Sequence, residues 1–145
     1  MLPNRKRFHH TPPSWIPDAS LFFITICCSQ RGHNTLAKPE IAEPLFESVA
    51  YREQLQQWNV SLILLMPDHL HAFIALSPNK PMEQTIAAWK RFTAKTLPIN
   101  WQDGFFDHLL RSQTETDEKW SYILNNPVRA NLCQSPESWP YKSPR

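Results

Sequence analysis

His69 and His71 stand two residues apart at the head of the run Met66-Pro67-Asp68-His69-Leu70-His71-Ala72-Phe73-Ile74-Ala75-Leu76. Side chains alternate along a β-strand, so both imidazoles share one face with Phe73 and Ala75, while Leu70, Ala72, Ile74 and Leu76 take the other. Neighbouring imidazoles on a sheet are the start of a metal site. Two half-buried histidines in a sheet would show the same spacing, so the pair alone leaves both readings open. Further along, Glu118, Tyr122 and Asn126 recur every four residues and would line one stripe of a helix. Trp120, Ile123 and Leu124 form the neighbouring apolar stripe. A helix docked through that stripe on the histidine face would bring a phenol and a carboxamide towards two imidazoles. His108, beside Asp107, is either a further ligand or partner to one, or a structural residue of the sheet. His9, His10 and His33 show no ligand spacing.

The elements that must position these groups are legible in outline. The chain has 145 residues, a net charge of +2 and no visible repeat, which suits one globular domain over 1–145. Its longest apolar runs, Leu21–Cys28 and Leu62–Met66, are too short to span a bilayer, and no leader is visible, so a cytoplasmic protein is expected. Cys27, Cys28 and Cys133 form neither a disulfide framework nor a CxxC pair and read as reduced apolar side chains. With glycine only at 32 and 104, no phosphate-cradling Gly-rich loop is possible.

A basic, Pro-rich arm over about 1–20 leads into a strand at 21–28. A helix follows over 39–58, and two strands flanking Pro67-Asp68 form a hairpin over 60–76. The pattern then predicts a helix over 82–97, a strand over 105–110 and a third helix from Ser112 to about Asn126, with a tail over about 128–145. Ser112-x-x-Glu115 has the form of a capping box. The order β-α-β-β-α-β followed by a helix predicts an α+β, ferredoxin-like sandwich with an additional C-terminal helix. Basic clusters at Arg5-Lys6-Arg7, at Lys90-Arg91 with Lys95, and at Lys142 with Arg145 are solvated surface or phosphate contacts.

Three separated motifs carry a resemblance. Met66-Pro67-Asp68-His69-Leu70-His71, Gly104-Phe105-Phe106-Asp107-His108-Leu109-Leu110-Arg111 and Tyr122-Ile123-Leu124-Asn125-Asn126-Pro127-Val128-Arg129-Ala130 together resemble the single-tyrosine HUH transposases, and within them the REP-associated tyrosine transposases. Phe23-Ile24-Thr25-Ile26 followed by Arg31, Lys90-Arg91-Phe92-Thr93-Ala94 and Trp139-Pro140-Tyr141 extend the likeness over nearly the whole chain. The resemblance implies Tyr122 as the nucleophile and His69, His71 and Asn126 as ligands of a divalent Mg²⁺ or Mn²⁺ ion. Glu118 and His108 are possible assistants. It further implies a metal-dependent endonuclease and strand transferase that forms a 5′-phosphotyrosine on single-stranded DNA beside imperfect hairpins, as a monomer or homodimer. Arg5, Lys6, Arg7, Lys90, Arg91 and Lys95 would then contact phosphates, and Trp15, Trp101 and Trp139 would stack on unpaired bases. Where the family commonly has Gly after this last motif, the chain has Asn131, which also tolerates a left-handed helix end. Rival readings are a mobile insertion-sequence transposase acting on its own ends, an idle hairpin-binding module, and a globular protein with a structural metal.

Overall fold

A computed structural model of the chain describes residues 20–76 and 81–144. The basic arm with Arg5, Lys6, Arg7 and Trp15 lies outside the described residues. In chain order the elements are β1 (Ser20–Cys27), α1 (Pro39–Gln54), β2 (Asn59–Leu65), β3 (His69–Leu76), α2 (Met82–Thr96), β4 (Phe106–Leu109), α3 (Gln113–Leu124), α4 (Asn126–Arg129) and β5 (Lys142–Ser143). The sheet runs β4-β1-β3-β2-β5 with every pairing antiparallel. Because β3 lies between β1 and β2, the α1 connection crosses over a strand, as in the ferredoxin-like sandwich expected from the element order. The β5 edge strand was not expected. Its pairing with Ile63 and Leu64 covers the outer edge of β2.

Alternation divides the sheet into two faces, and each has its own core. On one, Ile24, Ile26, Leu70, Ala72, Ile74 and Leu76 bury against Ile41, Leu45 and Val49 of α1 and Ile86 and Trp89 of α2. The indole N–H of Trp89 donates to Ser48 Oγ at 2.8 Å, tying the two helices together. Helix α1 stops short of Trp58 because Gln56 turns the chain at φ 59°, and the Trp58 N–H returns to Val49 O at 3.2 Å. On the opposite face, Leu62, Leu64 and Phe73 pack beneath Ile123, Trp120 and Leu124 of α3. The Trp120 and Phe73 rings are 4.9 Å apart, so α3 docks through the expected stripe.

The ends of α3 differ in part from expectation. Ser112 Oγ accepts the Glu115 N–H at 3.0 Å, but the Glu115 carboxylate accepts from the Arg111 N–H at 2.9 Å rather than from the cap. Half of the capping box therefore forms, because His108 also draws that carboxylate, at 2.6 Å. At the other end Asn125, at φ −89° and ψ 0°, closes α3, and α4 begins with Asn126-Pro127. Pro127 starts a new turn instead of ending helical structure, since a first-turn residue needs no N–H. Asn131 at φ 61° ends that turn in the left-handed conformation expected of it. Among the described residues no helix is long and apolar enough to cross a membrane.

Candidate functional site

Strand β3 opens directly from the Pro67-Asp68 turn, which presents its two imidazoles 4.9 Å apart, edge to face. Each is held from behind. The Asp68 carboxylate can only accept, so His69 donates its Nδ1–H to Asp68 Oδ1 at 2.7 Å, leaving the lone pair on Nε2. His71 Nδ1 meets Thr25 Oγ1 across the β1–β3 ladder at 2.9 Å, and the Phe23 ring stacks on its imidazole at 5.3 Å. Asp68 Oδ2 in turn accepts from Arg31 Nε at 3.0 Å and from the Gly32 N–H at 2.8 Å. Gly32 sits at φ 81°, a turn that glycine makes without strain, and this brings its N–H onto the carboxylate.

The electrostatics follow from that packing. Burial pushes the Asp68 carboxyl up, but the Gly32 N–H, His69 and Arg31 outweigh it and hold it at about 2. Burial, helped by His69, Lys119 and Arg129, lowers His71 to about 3. His71 is therefore neutral near pH 7, the state in which an imidazole ligates metal.

The tyrosine side is built differently. Tyr122 is 58 % exposed on α3. The α4 turn folds Arg129 back over it, with the guanidinium 3.6 Å from the ring centroid and one N–H donated to Tyr122 O at 2.8 Å. The same guanidinium nitrogen lies 3.4 Å from Asn126 Oδ1. Arg129 thus touches both Tyr122 and Asn126, and its charge is felt at His71. Glu118 is exposed on the outer side of α3.

Donor chemistry suits a divalent ion in one respect and leaves another to Asn126. Both imidazoles have Nδ1 occupied and Nε2 without a hydrogen bond among the described residues, and the Asp68–His69 pair is the usual carboxylate support of a ligating histidine. No third His, Cys, Asp or Glu joins them among the described residues, so a further protein ligand would have to be an amide or hydroxyl oxygen.

Other sequence-marked residues have internal roles. Lys90 Nζ donates to Gln102 O at 2.7 Å and Gly104 O at 2.6 Å, clamping the loop before β4 rather than standing free for phosphate. Arg91 and Lys95 are exposed on α2. Trp139 is 7 % exposed and gives its N–H to Leu65 O at 3.0 Å, so it is core and not a stacking surface. Trp101 donates to Thr93 Oγ1 at 2.9 Å and packs on Trp89. Lys142, assigned to a surface cluster, is buried with Nζ donating to Pro136 O and Trp139 O. His108, on the histidine face of β4, pairs with Glu115. Sequence reasoning missed the orienting pair Asp68–Arg31 and the stacked Arg129. Asp68 beside His69 was a readable signal, whereas Arg129 owes its place to the α4 turn.

No protein-family model matches the chain. A Haemophilus influenzae protein named as a candidate REP-associated tyrosine transposase is 28 % identical, over 85 % of this chain and 78 % of its own length. A solved REP-associated tyrosine transposase bound to a REP hairpin superposes with a TM-score of 0.73 at 18 % identity, over 85 % of this chain and 75 % of that one. A crystal structure of a candidate transposase from Deinococcus radiodurans gives a TM-score of 0.54 at 14 % identity, over 74 % of this chain and 90 % of that one.

Proposed function

We propose that this chain, similar in sequence and fold to REP-associated tyrosine transposases, cleaves and rejoins single-stranded DNA beside a hairpin through a covalent tyrosine intermediate. His69 and His71 would hold a divalent Mg²⁺ or Mn²⁺ ion through Nε2, with the Asn126 amide oxygen turning from Arg129 to join them. Such an ion, when bound, offsets the charge that grows on the oxygens of a scissile phosphate. Asp68 keeps His69 in the tautomer whose Nε2 is open to ligate, and the Thr25 hydroxyl fixes the direction of the His71 ring. Tyr122 attacks phosphorus; the Tyr–O–P bond forms as the P–O3′ bond breaks, and the phenol proton ends on the departing 3′-hydroxyl. A second 3′-hydroxyl reverses these steps, so one site both cleaves and joins. Arg129 over the ring places a positive charge beside the attacking phenol. Because α3 packs on its own sheet through Trp120, we read Tyr122 as serving its own protomer.

The observation that carries this reading is Arg129, which reaches Asn126 Oδ1 and stacks on Tyr122, on a helix whose Trp120 packs against Phe73 of the histidine strand. Incubating a labelled, hairpin-bearing single strand with the protein and Mn²⁺ tests it. A denaturation-resistant adduct is expected, absent in Tyr122→Phe and in a His69→Ala, His71→Ala double variant. Tight binding with no adduct would instead identify a hairpin-binding module.

A further inference from the structure

The described surface carries one exposed aromatic ring besides Tyr122 in register with the candidate ligands. Phe106 on β4 is 69 % exposed, more than any other large apolar side chain named among the described residues. Strand register assigns its face. Phe106 pairs with Thr25, and Thr25 pairs with His71, whose Nδ1 its hydroxyl meets at 2.9 Å. Directly paired residues project to the same side of a sheet, so Phe106, Thr25 and His71 form one row. Two residues on, His108 meets Glu115 of α3 at 2.6 Å, which independently puts this side of β4 on the tyrosine-helix face. Phe105 alternates to the opposite core.

A single exposed apolar residue is ordinary. This one is an aromatic on an edge strand, where an open apolar position invites unwanted pairing, and it lies two strand spacings, about 10 Å, from the histidine strand. The neighbourhood is cationic. Lys119 Nζ lies 5.2 Å above the Phe23 ring that stacks on His71, and Lys119 and Arg129 both act on His71. The nearby Glu115 carboxylate is engaged by the Arg111 N–H and His108. A flat apolar ring beside cations, in line with the candidate histidine pair, matches an unpaired nucleobase with its phosphate. Trp139 is buried, and Trp101 is partly buried with its N–H on Thr93 and its ring on Trp89.

We propose that Phe106 is a stacking platform for an unpaired base of the single strand next to the cleaved phosphate. This rests on the strand-cleaving reading above and adds to it the place where the flanking strand lies. The stack supplies binding to any base and does not itself choose a sequence, because every base has a π-face.

Fluorescence anisotropy of a labelled oligothymidylate, in EDTA and at one fixed salt concentration, tests it with the full chain. Phe106→Ala is expected to weaken binding about tenfold, and Phe106→Trp to restore it. Binding of a blunt hairpin duplex should stay near the wild-type value in both variants. The side chain is mostly exposed, so neither substitution should disturb the fold, which the thermal midpoint checks. Wild-type affinity in Phe106→Ala overturns the proposal, as does an effect confined to the sedimentation of the protein, which would mark a contact between copies. Failure of the wild-type chain to bind oligothymidylate overturns it too. The covalent-adduct assay is scored separately, so loss of the platform and loss of the cleavage reading give different results.

Discussion

The two halves of the candidate site are held by different means. On the histidine side, Thr25, Phe23 and the Asp68–Arg31–Gly32 network back the imidazoles, and Cys28 N–H to Asp68 O at 2.9 Å binds the following loop to the same turn. On the tyrosine side, one exposed ring rests under one exposed guanidinium, and among the described residues the Asn126 side-chain amide has a single 3.4 Å contact. Rigid support fits groups that must keep a fixed geometry for an ion, since second-shell partners set ligand direction. Loose support fits a nucleophile that has to approach phosphorus and later stand aside for a joining strand.

This contrast can be broken from either side. The largest effect is expected from Asp68→Asn, which removes the charge and leaves one acceptor oxygen where two stood, so His69 and the Arg31–Gly32 pair can no longer both be satisfied. Mn²⁺ affinity measured by calorimetry should fall about 10- to 100-fold, while Arg129 stays over Tyr122. An unchanged affinity would mean that the histidine side is not held from behind in the way described. A smaller effect is expected from Arg129→Ala. An exposed cation–π contact contributes about 0.5–1 kcal/mol, so adduct formation at saturating Mn²⁺ should slow by about two- to fivefold. Arg129→Lys should recover only part of the rate, because an ammonium lacks the planar face that stacks. The smallest signal is at Cys28, 1 % exposed, whose thiol burial and the Asp68 charge push up to about 11. Iodoacetamide at pH 8 should leave it unmodified in the folded protein, and its labelling should follow global unfolding in urea. Labelling well before that transition would show that the histidine side opens locally and would remove the contrast.

Some of this was readable without coordinates because the signal is local. Alternation alone put His69 and His71 opposite Leu70 and Ala72, and helical spacing alone picked Trp120, Ile123 and Leu124 as the docking stripe of α3. A left-handed Asn131 likewise depends on little beyond its own backbone preference. Surface roles were harder to read where the partner is distant or a main-chain carbonyl. Lys90 looked like a phosphate contact until the loop carrying Gln102 and Gly104 was seen to fold onto it. Trp139 looked like a free ring until its N–H was found on Leu65, 74 positions earlier.

Residue order by itself determined the two faces of the sheet, the ferredoxin-like succession of elements and the identity of the groups able to do chemistry, because periodicity and side-chain type are properties of neighbours along the chain. Tertiary structure decided which cations are free, which aromatic ring faces solvent and where Arg129 comes to rest. Those outcomes depend on contacts closed across strands and loops, and no local preference encodes them.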